Sequence, residues 1–220
     1  MPKQTSTRRF ALALLFGWLL SACHASFAAA EQNTFRLVVF GDSLTAGYRL
    51  PLEDAYPKVL EKTLRTRGHK VEVISASVSG DTSTGGLARL DWALNGKIDG
   101  FIVELGANDM LRGIDPDRTR AALDAIVTRI KAKGAKVLLA GMLAAPGMGK
   151  TYEDNFRNIY PALAKKHGVG LIPFFLEGVA GNKRLNLPDG IHPNPAGVHV
   201  MVGNSLPFVE KMLARASGAR

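Results

Sequence analysis

A serine at position 43 stands where an apolar run ends, in the segment VVFGDSLTAG over residues 38–47. A serine hydroxyl is a weak nucleophile, so it needs a histidine that accepts its proton and an acid that orients that histidine. His192 and Asp189 meet both needs, since they lie three residues apart in LPDGIHPNP. A turn at Gly190 lets the acid reach one imidazole nitrogen and leave the other for the serine. This pattern predicts acyl-transfer chemistry, although Ser43 also fits a helix cap and His192 a rigid loop.

Acyl transfer also needs hydrogen-bond donors for the negative charge that develops on the substrate carbonyl oxygen. Ser43 opens a predicted helix, so its own N–H has no intrahelical acceptor. Gly80, in VSGDTS, can present its N–H closely because it has no side chain. Asn108, in GAND, carries a neutral amide donor. Each residue alone is equally well a cap or turn residue, but their joint occurrence favours one functional site.

Five short apolar runs, rich in Val, Ile, Leu and Phe, predict strands that are buried on both faces. They cover residues 35–40, 71–76, 100–105, 136–142 and 169–175. Helical spacing of apolar residues predicts helices over residues 53–67, 116–133, 153–167 and 195–215. The alternation predicts a three-layer α/β/α fold with a flavodoxin-like, doubly wound sheet of five parallel strands. The polar motifs all follow apolar runs, where the carboxyl ends of such strands form a crevice.

The motifs GDSL, SGDT, GAND and DGIHP resemble the four blocks of the SGNH, or GDSL-type, hydrolase superfamily. The resemblance covers nearly all of residues 35–213 and is strongest to the secreted bacterial arylesterase, thioesterase and lysophospholipase group. It implies a serine esterase with Ser43 as nucleophile, His192 as base and Asp189 as the acid that orients the base. One departure is Ala107, where close relatives often have glycine.

The resemblance also implies an oxyanion hole and residues that support it. The oxyanion donors would be the N–H groups of Ser43 and Gly80 and the side-chain amide of Asn108. Asp42 is expected to hold the turn around the nucleophile, and Asp109 to hold the loop around the amide donor.

Apolar residues that flank the motifs predict a substrate-binding surface. The residues assigned to it are Leu44, Met110, Leu111 and Ile191. Such a lining favours acyl or aryl esters, including thioesters and lysophospholipids, over sugars. A carbohydrate acetyl-esterase stays open as the alternative, because the same superfamily contains such enzymes. A non-catalytic, flavodoxin-like binding protein is the alternative from another class, and the complete Ser-His-Asp set speaks against it.

Other chemistries fit the sequence less well. An α/β-hydrolase elbow needs G-x-S-x-G, and Thr45 stands at its last position. The segment GMGKT at 147–151 resembles a P-loop, but the full motif needs glycine where Ala144 stands. No H-E-x-x-H or H-x-x-x-H pattern occurs, so we expect neither a metal nor another cofactor. The net charge of +9 is scattered and lacks an aromatic-basic motif, which predicts no nucleic-acid partner.

Residues 1–30 have the pattern of an export signal, with basic residues before the apolar stretch FALALLFGWLLSA. Two processing routes are open. The AAA sequence at 28–30 suits ordinary signal peptidase, whereas LSAC at 20–23 resembles a lipobox that would attach a lipid anchor to Cys23. Cys23 is the only cysteine, so no internal disulfide can form. We favour a soluble periplasmic or secreted protein, in which residues 31–220 form a single monomeric hydrolase domain.

Overall fold

Five parallel strands form the sheet, and their existence and order confirm the predicted fold class. The strands are β1 (Phe35–Gly41), β2 (Val71–Ser75), β3 (Gly100–Glu104), β4 (Lys136–Ala140) and β5 (Gly170–Ile172). They lie in the order β2-β1-β3-β4-β5. The structure is a computed structural model that describes residues 34–217, so the predicted export signal and Cys23 lie outside the described residues.

Helices cover both faces of the sheet. They are α1 (Ser43–Ala46), α2 (Tyr56–Thr66), α3 (Ser83–Ala93), α4 (Ala107–Leu111), α5 (Pro116–Ala132), α6 (Lys150–Arg157), α7 (Ile159–His167) and α8 (Pro195–Ser217). Helices α2 and α8 pack against each other on one face, while α5 packs against α3 and α7 on the other. The central strands β1 and β3 are therefore enclosed on both sides, which explains why their sequences are mostly apolar.

The register of β1 and β3 determines where the polar motifs meet. Val39 of β1 pairs with Ile102 of β3, and Gly41 pairs with Glu104 at the carboxyl ends of the two strands. The residues that follow each strand, Asp42 on one and Leu105 on the other, therefore leave the sheet side by side. This edge is the crevice that a doubly wound sheet provides for a functional site.

Helix α3 is absent from the prediction, and its two adjacent glycines are the reason. Glycine disfavours helices by about 1 kcal/mol relative to alanine, so the segment lacks a helical signal. In the structure Gly86 lets α3 approach the sheet closely. A Cβ atom at Gly86 would overlap Leu105 Cδ1 and lie 3.3 Å from Phe40 Cε1. The glycine thus serves packing between helix and sheet at the expense of helix propensity.

Two further boundaries differ from the prediction. The helix expected over residues 153–167 is two helices, α6 and α7, which meet at Asn158. Strand β5 covers only three residues of the expected 169–175. Pro173 follows β5 directly, and proline has no N–H for the ladder of hydrogen bonds.

We expect Gly86→Ala to lower the free energy of unfolding by about 1–3 kcal/mol, because the added methyl group overlaps Leu105. The matched control is Gly203→Ala in α8, where an added Cβ would have no heavy atom within 4 Å. There alanine should raise the free energy of unfolding by about 0.5–1 kcal/mol. Urea unfolding followed by circular dichroism measures both values. Stabilisation by both substitutions would contradict the close approach of α3.

Candidate active site

Ser43, His192 and Asp189 form one hydrogen-bonded chain, although 149 residues separate the serine from the histidine. Ser43 Oγ lies 3.0 Å from His192 Nε2. The other ring nitrogen, Nδ1, lies 2.9 Å from Asp189 Oδ2. A neutral imidazole that donates from Nδ1 to the carboxylate keeps Nε2 as an acceptor for the serine proton. The three side chains can therefore activate a hydroxyl nucleophile.

The loop between β5 and α8 holds the acid and the base together locally. The backbone N–H groups of Ile191 and His192 donate to Asp189 Oδ1 at 3.1 and 3.0 Å. The bond from the His192 N–H is the main cause that lowers the Asp189 pKa to about 2, and the imidazole contributes further. Gly190 has a φ of +79°, in the left-handed region that this turn requires. Asp189 is therefore ionised at neutral pH and can orient the imidazole.

Ser43, the candidate nucleophile, lies at the N-terminus of a single helical turn, α1, that begins directly after β1. Asp42 caps this turn, because its Oδ1 accepts a hydrogen bond from the Leu44 N–H at 2.9 Å. Gly47 ends the turn in the left-handed conformation, and its N–H donates to the Ser43 carbonyl oxygen. Ser43 is thus fixed at both ends of its turn, and its own N–H belongs to the first N–H groups of a helix, which have no intrahelical acceptor.

Asn108 reaches the nucleophile turn from the neighbouring strand, through the short helix α4. Its Nδ2 donates to Asp42 Oδ2 at 2.9 Å. This bond uses one N–H of the amide and fixes its plane, so the second N–H can serve another acceptor. Gly106 precedes α4 with a φ of +120°, and a Cβ atom there would overlap the Tyr160 hydroxyl. Ala107, which stands where close relatives often have glycine, is the first residue of α4, and the amide of Asn108 beside it still reaches Asp42.

Asp109 is buried and joins three helices. Its Oδ2 accepts from the Ser83 N–H at 2.7 Å, and its Oδ1 accepts from the Ser83 and Thr119 hydroxyls at 2.5 and 3.0 Å. Gly80 lies in the loop before α3 with a φ of +84°. The Arg112 guanidinium donates to the Gly80 carbonyl oxygen at 2.8 Å, which ties this loop to the end of α4. Asp109 therefore fixes α4, the helix that carries Asn108, and the loop of Gly80 is joined to the end of the same helix.

A buried acid beneath the nucleophile turn was missed by the sequence analysis. Glu104, the last residue of β3, is fully buried, and its Oε2 accepts from the Asp42 N–H at 3.2 Å and the Thr45 hydroxyl at 3.1 Å. Burial raises the Glu104 pKa well above its ordinary value, and the nearby Asp42 charge raises it further. Burial also raises the pKa of Asp42 to about 6. Glu104 lies inside an apolar run, so only its position before GAND could have drawn attention to it.

Two other residues near the site carried no clear signal in the sequence. The Tyr48 ring lies 4.3 Å from the His192 ring, at 33° to it, and covers one side of the imidazole. Arg89, on α3, donates to the carbonyl oxygens of Ala76 and Gly41 at 2.7 and 3.0 Å and thereby joins the ends of β1 and β2. No helix was predicted for the segment that carries Arg89, so nothing in the sequence indicated that its guanidinium would reach the strand ends.

The residues expected to bind substrate differ in exposure. Leu111 and Ile191 are 54% and 48% exposed, and Met110 is partly buried. Leu44 is only 6% exposed and packs in the hydrophobic core, which argues for a core role and against the substrate contact expected from the sequence. Val78, in the loop after β2, is 45% exposed and adds an apolar side chain that the sequence analysis did not select.

Groups of the GMGKT segment bind acidic side chains of the helix α6. The Gly147 N–H donates to Glu153 Oε1 at 3.0 Å, and Lys150 pairs with Asp154 at 2.5 Å. These are the groups that a P-loop would offer to phosphate. In the part of the chain that the structure describes, no group of three or more His, Cys, Asp or Glu residues could hold a metal ion.

Comparison with known proteins agrees with this geometry. Residues 39–200 match the model of the GDSL-like Lipase/Acylhydrolase family. The chain belongs to this family. It is similar to an arylesterase of Vibrio mimicus, with 43% identity over 76% of this chain and 84% of that protein. It is also similar to thioesterase 1/protease 1/lysophospholipase L1 of Escherichia coli K12, with 41% identity over 84% of this chain and 85% of the relative.

Solved structures of the family share the fold as well. The crystal structure of TesA superimposes with a TM-score of 0.77 at 39% identity, and the match covers 80% of this chain and 99% of that one. Together with the esterase and thioesterase relatives, membership of the GDSL-like family identifies this protein as a serine ester hydrolase.

Proposed function

We propose that this hydrolase cleaves carboxylic esters of acyl or aryl type, with Ser43 as the nucleophile. The observation that carries the proposal is the chain of hydrogen bonds from Ser43 Oγ through His192 to the ionised Asp189. Ser43 Oγ attacks the carbonyl carbon while His192 Nε2 takes its proton. The tetrahedral intermediate then expels the alcohol, which receives that proton, and the acyl group remains on the serine. Water, activated by the same imidazole, releases the acid and restores the serine.

The oxyanion of each tetrahedral intermediate is proposed to accept hydrogen bonds from the Ser43 N–H, the Gly80 N–H and the free N–H of the Asn108 amide. The bond from the amide to Asp42 supports this role, since it holds the donor in place before substrate arrives. Donors that need no reorganisation during the reaction stabilise the developing charge most strongly.

The apolar side chains around the site support acyl or aryl esters as substrates. Leu111, Ile191 and Val78 are exposed on three separate segments: the end of α4, the loop before α8 and the loop after β2. Apolar surface of this kind binds acyl chains and aromatic rings and leaves sugar hydroxyls without partners. The names of the relatives, an arylesterase and a thioesterase/lysophospholipase, add thioesters and lysophospholipids to the candidates. A carbohydrate acetyl-esterase is the alternative.

Ser43→Ala and His192→Ala should each lower kcat for ester hydrolysis by at least about 10⁴-fold, because each removes a group that acts in the chemical step. Asp189→Asn should have a smaller effect, since Asp189 acts only through the imidazole. A p-nitrophenyl ester series from C2 to C16, run beside acyl-CoA, a lysophospholipid and an acetylated sugar, measures both activity and preference. Circular dichroism checks that each variant is folded.

Substantial ester hydrolysis by a folded Ser43→Ala protein would reject Ser43 as the nucleophile. Fast turnover of the acetylated sugar, with slow turnover of the C4 to C16 esters, would instead support the alternative substrate class.

Asn108→Ala should lower kcat by about 10²–10³-fold and leave KM nearly unchanged, because the oxyanion exists mainly in the transition state. Steady-state kinetics on the preferred ester measure both constants. Asn155→Ala, on the exposed part of α6, is a control for an asparagine outside the proposed site. A change in KM alone would mean that Asn108 contacts the bound substrate and does not stabilise the oxyanion.

We also propose that the protein is exported, on the strength of the signal pattern in residues 1–30. No helix within residues 34–217 is long and apolar enough to cross a membrane. Ordinary cleavage would give a mature chain that begins at Glu31, whereas lipidation would leave a modified Cys23 at its start. Mass spectrometry of the N-terminal peptide from soluble and membrane fractions should find Glu31. A diacylglyceryl-Cys23 peptide would show the anchored form, and an unprocessed Met1 would contradict export.

A further inference from the structure

The Glu104 carboxyl group lies beneath the turn that carries Ser43, and only one of its two oxygens has hydrogen-bond partners. Oε2 accepts hydrogen bonds from Asp42 and Thr45, but Oε1 is buried and receives a hydrogen bond from no described residue. An ionised carboxylate would need donors on both oxygens to offset the loss of water. The space is also tight, because a Cβ atom at Gly41 would lie 2.6 Å from Oε2.

The groups around Glu104 do not neutralise a charge on it. Asp42 faces it from the turn after β1, Tyr56 from α2 and Tyr160 from α7. No lysine, arginine or histidine among the described residues forms an ion pair with Glu104. The guanidinium of Arg89 binds the carbonyl oxygen of Gly41, next to Asp42, and pairs with Asp81. A charge at Glu104 would therefore be buried beside a second carboxylate.

The Asp42 N–H donates to Glu104 Oε2, so the two acids are close neighbours, and a negative charge on each would be repulsive. Asp42 receives two N–H donors, from Leu44 and from the Asn108 amide, one on each oxygen. Those donors favour the ionised form of Asp42. Glu104 has a whole oxygen without a donor, which favours its protonated form. The proton of the pair therefore belongs on Glu104.

We propose that Glu104 is a protonated acid that leaves Asp42 ionised and thereby positions the Asn108 amide. An ionised Asp42 can only accept, so it draws the NH₂ group of the amide toward itself and fixes which way the amide faces. A protonated Asp42 could instead donate to the amide oxygen, and the flipped amide would present no N–H to the oxyanion. This effect on catalysis rests on the proposed function, whereas the proton on Glu104 does not.

Proton linkage tests the protonation state without any substrate. In the unfolded chain the Glu104 carboxyl group has its ordinary pKa of 4.5, and burial raises that pKa in the folded protein. The folded state then holds a proton that the unfolded state loses as the pH rises, so wild-type stability falls with pH until the folded pKa is reached. Glu104→Gln mimics the neutral acid and has no such loss.

We expect the ratio of the unfolding equilibrium constants, wild type over Glu104→Gln, to rise about tenfold per pH unit above about pH 5, for as long as the folded protein keeps the proton. Urea unfolding of the folded chain at several pH values measures this ratio. Glu72→Gln, at a half-exposed position of β2 that pairs with Arg36, is the control for exchanging glutamate for glutamine in a strand, and the Glu104 slope is taken relative to it. A ratio that does not change with pH would show an ionised Glu104 and overturn the proposal.

Ester kinetics test the positioning role. Glu104→Ala should lower kcat by about tenfold or more with little change in KM, because the amide donor loses its fixed orientation. Glu104→Gln should recover most of that loss, since glutamine is also neutral and its oxygen can accept from the same Asp42 N–H. Equal losses of kcat in the two variants would overturn the positioning role. Loss of activity in Ser43→Ala tests the nucleophile separately, and the pH-dependent ratio stands even where Glu104→Ala fails to fold.

Discussion

The hydrogen bond between the Asn108 amide and the Asp42 carboxylate joins the two halves of the site, and much of the structure serves to make it. Asp42 leaves the sheet at the end of β1, while Asn108 follows β3. The register that pairs Gly41 with Glu104 brings the two strand ends to the same level. Because the two strands are adjacent, parallel and matched at their ends, the capping carboxylate and the amide donor come within 2.9 Å of each other.

The acid and the base are organised differently from the nucleophile. Asp189 and His192 are held by a loop whose hydrogen bonds are almost entirely local, so this pair is already oriented by its own turn. The position of the loop against α1 is what brings the imidazole to Ser43. The ring of Tyr48 then covers the imidazole from the side of the nucleophile turn. A prearranged acid–base pair that docks onto a prearranged serine leaves few internal motions to be frozen during the reaction.

Polar groups in the core beneath the site have a destabilising cost that the apolar layers must offset. Glu104 and Asp109 are both fully buried, yet only Asp109 has hydrogen-bond donors on both oxygens. If packing alone mattered, an apolar residue in place of a buried acid with an unpartnered oxygen would be neutral or stabilising. Glu104 lies under the capping Asp42, so its destabilising cost is linked to the proposed orientation of the groups that face the substrate. The close approach of α3 through Gly86 encloses the same region from the opposite face of the sheet.

The sequence by itself determined the fold class and most of the proposed chemistry of this protein. Buried parallel strands require continuous apolar runs, and a serine nucleophile requires a histidine and an acid, so Ser43, His192 and Asp189 could be selected by residue type and order. Tertiary structure decided what depends on distance between segments. The role of Glu104, the burial of Leu44 and the presence of α3 have no local signal. Each results from how two segments far apart in the chain pack at one strand end, where close contact and loss of water outweigh local propensity.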